Sequence, residues 1–162
     1  MRHLAPILTA LLLLAACGAQ PDSGAILAAR QRAIDPPTLW LLQDLGPAGQ
    51  VRAATLVCAD TPMHRTFLRT RAEIEGAECR DLAPPVAIPH GVTERCVADG
   101  RRYAFATQTL GDPTADFRLT VSVTPLGGEA GPGAVTRHYR RLGPCPPTWQ
   151  VGDQTAAPAA MR

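Results

Sequence analysis

The stretch Phe117-Arg118-Leu119-Thr120-Val121-Ser122-Val123-Thr124 carries an apolar side chain at every second position. Side chains alternate between the two faces of a strand, so this pattern predicts a half-buried strand with positions 117, 119, 121 and 123 on its dry side. Ser122 then falls on the solvated side. Just upstream, Arg102 to Leu110 sets Tyr103, Phe105, Thr107 and Thr109 on one side of a second strand. Gly111-Asp112-Pro113-Thr114 between them is turn chemistry, and residues 101–125 read as a β-hairpin.

Working outward, weaker period-two segments lie at Thr38–Asp44, Gln50–Cys58, Glu73–Arg80, Val92–Ala98 and Ala134–Leu142. The first two flank Gly46-Pro47-Ala48-Gly49, a second hairpin signature. A short helix is expected after Thr61 as N-cap, with Pro62 at the first helical position and Met63, Phe67 and Leu68 on one face. Pro/Gly-rich breaks fall at 83–89 and 127–133. The expected fold is mainly β, an antiparallel sheet or small sandwich of about six to seven strands with one short helix. The few aromatic residues imply a thin core.

The amino terminus has a different character. Met1-Arg2-His3 precedes an apolar run from Leu4 to Ala16. That run is shorter than the roughly 20 residues a membrane-spanning helix needs, and it has the length of a secretory signal. It ends in Leu14-Ala15-Ala16-Cys17, which resembles the bacterial lipobox. The resemblance implies cleavage before Cys17 and lipidation of its thiol. Residues 1–16 are then a lipoprotein signal peptide, and the partner is the membrane, reached through lipid on Cys17. Two or three acyl chains hold such a protein far more firmly than one. Gly18 and Ala19, with no Asp after the cysteine, resemble outer-membrane sorting, so the expected place is the bacterial cell envelope, facing the periplasm.

Residues 17–36 read as a tether with one short helical piece, ended by Pro36-Pro37. Residues 37–150 read as the β-rich domain, and 151–162, rich in Ala, Pro and polar residues, as a disordered tail. The 162 residues include 16 Arg and no Lys against 14 acidic residues, a net +2. Losing Arg2 with the leader lowers this by one. A nearly neutral chain lacks the basic footprint of a nucleic-acid binder.

After Cys17 four cysteines remain: Cys58, Cys79, Cys96 and Cys145. An even count in an exported chain predicts two disulfides, and three connectivities are open. Cys58–Cys79 with Cys96–Cys145 is the favoured pairing, with Cys79–Cys96 as its main rival. No C-x-x-C pair points to metal or redox chemistry.

Catalytic signatures are sparse. His64, His90 and His138 fall in separate predicted elements without metal-ligand spacing, so no metal and no cofactor is expected. Ser23 and Ser122 stand in no nucleophile motif. Glu73, Glu75 and Glu78 read as a wet strand face. The basic run Arg137-His138-Tyr139-Arg140-Arg141 is the remaining candidate. Alternation puts Arg137, Tyr139 and Arg141 on one face and His138 and Arg140 on the other. Arg137, Arg140 and Arg141 would contact anionic lipid or an acidic envelope protein; the plainer reading is a charged edge strand that blocks aggregation.

The segment Tyr139-Arg140-Arg141-Leu142-Gly143-Pro144-Cys145-Pro146, after Cys58, Cys79 and Cys96 and an early Leu39-Trp40, resembles the domain of unknown function 3617 family. Over residues 36–153 that resemblance implies a small, disulfide-bonded, β-rich exported protein and carries no activity. The expected function is therefore a lipid-anchored, non-enzymatic interaction or structural module. The alternative is a carrier of a small apolar ligand or lipid, bound at the face of Phe67, Tyr103, Phe105 and Phe117.

Overall fold

The computed structural model describes residues 23–68, 73–74, 76–128, 131 and 133–161, with the side chain of residue 73 excepted. Cys17 and the signal segment lie outside these residues, as does Glu75. Two compact units divide at Ile34 and Asp35. In the first, helix α1 spans Ser23–Ile34 and buries none of its residues; Leu27 and Ile34 are exposed. No helix among the described residues is long and apolar enough to cross a membrane.

The second unit is mainly β. Six long strands carry it: β1 (Thr38–Leu45), β2 (Val51–Ala59), β7 (Gly91–Ala98), β8 (Arg101–Asp112), β9 (Asp116–Pro125) and β10 (Gly133–Pro144). Five short ones complete it: β3 (Glu73–Ile74), β4 (Ala77–Glu78), β5 (Arg80–Asp81), β6 (Val86–Ile88) and β11 (Gln154–Ala156). Nine strands form one antiparallel sheet in the order β11-β2-β1-β10-β9-β8-β7-β5, with β6 also on β7; β3 and β4 make a separate hairpin. The arrangement is thus a single main sheet rather than a sandwich. The segment expected as one strand at 73–80 is broken, with a turn at Gly76, whose φ of +85° is costless only for glycine.

Alternation in β9 works as the sequence predicts. Phe117 and Leu119 are buried, and they share an inner face with Trp40, Val57 and Tyr139. Helix α2 (Thr61–Phe67) covers this end of the face with Phe67 and Met63. Phe117 stacks on Tyr139 at 4.7 Å between ring centroids, and Phe67 stacks on Tyr139 at 5.2 Å. At the other end Tyr103, Phe105, Cys96 and Ala98 pack with Ile74 from the β3–β4 hairpin. The helix starts one residue earlier than Thr61 suggests. Asp60 is the N-cap, accepting from the Met63 amide at 3.0 Å, because Thr61 is engaged by Asp35 instead.

Both disulfides are present, and their pairing corrects the favoured one. Cys58 joins Cys145 and Cys79 joins Cys96, with Cα separations of 5.7 and 5.5 Å. Strand order is the reason. β2 and β7 stand five sheet steps apart, roughly 24 Å at the usual interstrand spacing, so Cys58 is far from the Cys96 neighbourhood where Cys79 sits. Cys58 instead lies across β1 from the end of β10.

The tail expected to be disordered is largely ordered. β11 pairs with β2, Ala157 is 1% exposed against Leu41 and Ala54, and a 3-10 turn follows at Ala159–Met161. Its composition is bland, but the open edge of β2 satisfies its backbone groups. The domain accordingly runs from Asp35 beyond residue 150.

Candidate functional site

Strand β10 holds the candidate arginines, and it is central: β1 pairs with one side and β9 with the other. Its charges therefore do not protect an edge. Arg137 sits opposite Asp44 and donates to its carboxylate at 2.8 Å. That hydrogen bond is the main reason the guanidinium holds its proton even more strongly than usual. Tyr139 is buried in the aromatic core. Arg141 projects on the same face at the far end of the strand, while Arg140 and His138 project on the opposite one, so the trio is divided between two surfaces.

Arg141 borders a cleft of about 320 Å³ lined by Asp35, Thr38, Trp40, Asp60, Thr61 and His64. The polar groups here are committed to the fold. Asp35 accepts from the Thr61 amide and hydroxyl at 2.9 and 2.8 Å, and Asp60 caps α2. The Trp40 indole donates to the Thr38 hydroxyl at 2.9 Å. His64 stacks on Trp40 at 4.5 Å, and its buried Nε2 has no hydrogen-bond partner. Among the described residues no carboxylate orients that ring. The arrangement pins α2 onto β1 and offers no general-base geometry of the kind a catalytic histidine needs. A broader depression of about 800 Å³ lies beside Asp44, Pro47, Val135 and Arg137, whose charge Asp44 already meets.

The remaining candidates disperse. His90 occupies the β6–β7 turn with a φ of 60°, and His138 bridges Gln43 and Asp116 at 3.1 and 2.7 Å. Ser122 bonds the Ala106 carbonyl at 3.4 Å. Among the described residues no three His, Cys, Asp or Glu side chains converge as metal ligands. Phe67 and Phe117 belong to one apolar cluster and Tyr103 and Phe105 to another, and all four are buried by their neighbours.

What the register does assemble is the outer face of the sheet. Cross-strand partners share a face. Pairings Arg95↔Ala104↔Thr124 and Leu110↔Arg118↔His138, with Asp116↔Arg140, place Arg95, Arg118 and Arg140 on one face. Arg80↔Val97↔Arg102 adds two more. All five arginines are exposed, and none has an ion-pair partner among the described residues. Asp44, Asp81 and Glu94 take the opposite, inner phase, while Asp112 and Asp116 stand on the outer face beside Arg140. Of the five, only Arg140 stands in the basic run; Arg102 follows Arg101, the other three are isolated in sequence, and strand phase is the signal that unites them.

No family model, curated protein or solved structure matches the chain. Its class is defined by its own features: a disulfide-bonded antiparallel sheet with one basic, open face.

Proposed function

We propose that this protein is a lipid-anchored component of the bacterial cell envelope, a non-enzymatic module that displays a basic sheet face to an anionic partner. The observation that carries the reading is the charge segregation of the sheet, five outer-face arginines without an ion-pair partner among the described residues against two aspartates there, in a chain whose overall charge is nearly zero. Such segregation in a neutral chain favours oriented contact over general adhesion. The anchor rests on Leu14-Ala15-Ala16-Cys17, and Gly18 after it favours the outer membrane, facing the periplasm. Membership of the domain of unknown function 3617 family belongs to the same proposal, on the Tyr139–Pro146 segment and the cysteine order. The test is the mass of the amino-terminal peptide of protein extracted from its own envelope. A peptide beginning at Cys17 and carrying a diacylglyceryl group is expected. An unmodified Cys17, or cleavage elsewhere, rejects the anchored reading.

A further inference from the structure

We infer that the outer face of the sheet is a docking surface for an anionic phospholipid bilayer. The inference takes its biological setting from the anchored reading, but its chemistry stands on the face itself. The arginines form two groups, with Arg80, Arg95 and Arg102 towards one end and Arg118 and Arg140 towards the other. From Ala104, beside Arg95, to Leu110, beside Arg118, β8 covers roughly 20 Å. The ground between is neutral and low: Thr93, Ala106 and Ser122 form one row, Gln108, Thr120 and Thr136 the next. A small anion meets only one arginine group. A plane of phosphate headgroups meets both, and short central side chains let that plane approach.

Two further features favour a bilayer over an acidic protein. Leu110, paired with Arg118, is 56% exposed, and Val86, paired with Thr93, is 64% exposed, so apolar side chains stand among the cations. Arginine beside exposed aliphatic groups suits the headgroup boundary, where charge meets phosphate and methyl groups leave water. Two acidic groups, Asp112 and Asp116, share the Arg118 and Arg140 end of the face and offset part of its positive charge, but each is turned to a partner within the protein. Asp116 bonds His138 at 2.7 Å, and Asp112 turns back to the Thr114 amide and hydroxyl at 2.8 and 2.7 Å. Among the described residues the carboxy-terminal segment covers the outer face over β1 and β2, where Gln43 donates to the Met161 carbonyl at 2.8 Å.

The experiment removes the lipid so that only the face can bind. The chain from residue 17 onward, carrying Cys17→Ser, is sedimented with vesicles of phosphatidylcholine alone or with phosphatidylglycerol added. Binding is expected only with phosphatidylglycerol, and it should weaken as salt shortens the screening length. Each arginine near such a surface strengthens partitioning by roughly fivefold. The double variants Arg118→Ala/Arg140→Ala and Arg95→Ala/Arg102→Ala should therefore each lose more than about tenfold. Arg118→Lys/Arg140→Lys should keep most of the binding, and Arg65→Ala on α2 should keep all of it. An unchanged thermal melt confirms that each variant folds.

Failure to bind phosphatidylglycerol vesicles, equal binding to both vesicle types, or equal loss in Arg65→Ala overturns the inference. So does displacement from the vesicles by soluble polyglutamate, which would mark an acidic protein as the better partner. Vesicle binding by the Cys17→Ser chain together with an unlipidated native Cys17 would reject the anchor and leave the docking surface standing.

Discussion

Tyr139 shows how much one alternating position carries. Its phase in the basic run places it beside Arg137 and Arg141, yet it is 2% exposed and stacked between Phe67 and Phe117. Burial raises the phenol's pKa above the usual tyrosine value, and the neighbouring Arg137 charge opposes the rise. The unfolded chain releases that proton first. Stability from the neutral phenol is therefore complete below the ordinary tyrosine pKa and is lost as pH rises through the raised folded value. Urea midpoints across that alkaline window should fall less steeply in Tyr139→Phe than in the native chain; equal slopes would show that the phenol does not couple to folding. The same phase rule makes Arg102 and Arg118 legible as outward residues beside Tyr103 and Phe117. The spent state of Arg137 is not legible, because Asp44 lies in a different hairpin and only the β1–β10 register brings them together.

At the scale of elements, the hairpins were readable wherever turn chemistry is local. Gly46-Pro47-Ala48-Gly49 and the 111–114 turn mark β1–β2 and β8–β9, whereas the Asp99-Gly100 turn, both residues with positive φ, went unread although it joins β7 to β8 as such a pair should. Cysteine pairing was not readable, since it depends on which strands become neighbours. The two bridges should differ in weight. Cys58–Cys145 closes 87 residues of chain and Cys79–Cys96 only 17, which gives about 4–5 and about 3 kcal/mol on the chain-entropy argument. Urea unfolding of Cys58→Ala/Cys145→Ala should thus show the larger loss, with Cys79→Ala/Cys96→Ala chiefly loosening the β3–β4 hairpin. A larger loss in the second variant would contradict this ordering.

For the whole molecule, the fold class was in the period-two pattern, while its limits were not. The ordered tail escaped notice because composition reports on a segment alone, whereas β11 is ordered by the edge of β2 and by a seat against Leu41 and Ala54. Ending the chain at Asp153 should uncover Leu41, which is fully buried, and lower stability by about 2 kcal/mol on the basis of its transfer out of water. An unchanged urea midpoint would show that β11 merely decorates the sheet.

The strand order also bears on how the molecule comes to be. Synthesis makes β1 first among the long strands and β10 last, yet the two are neighbours in the middle of the sheet. The central ladder cannot close on a partly made chain, and contacts between such distant segments make for slow folding. Until β10 arrives, the β1–β2 hairpin keeps one bare edge, Leu41 and Leu42 among its residues, open to the wrong strand. The newborn chain is at its most aggregation-prone in that interval, and the last strand to be made is the one that ends it.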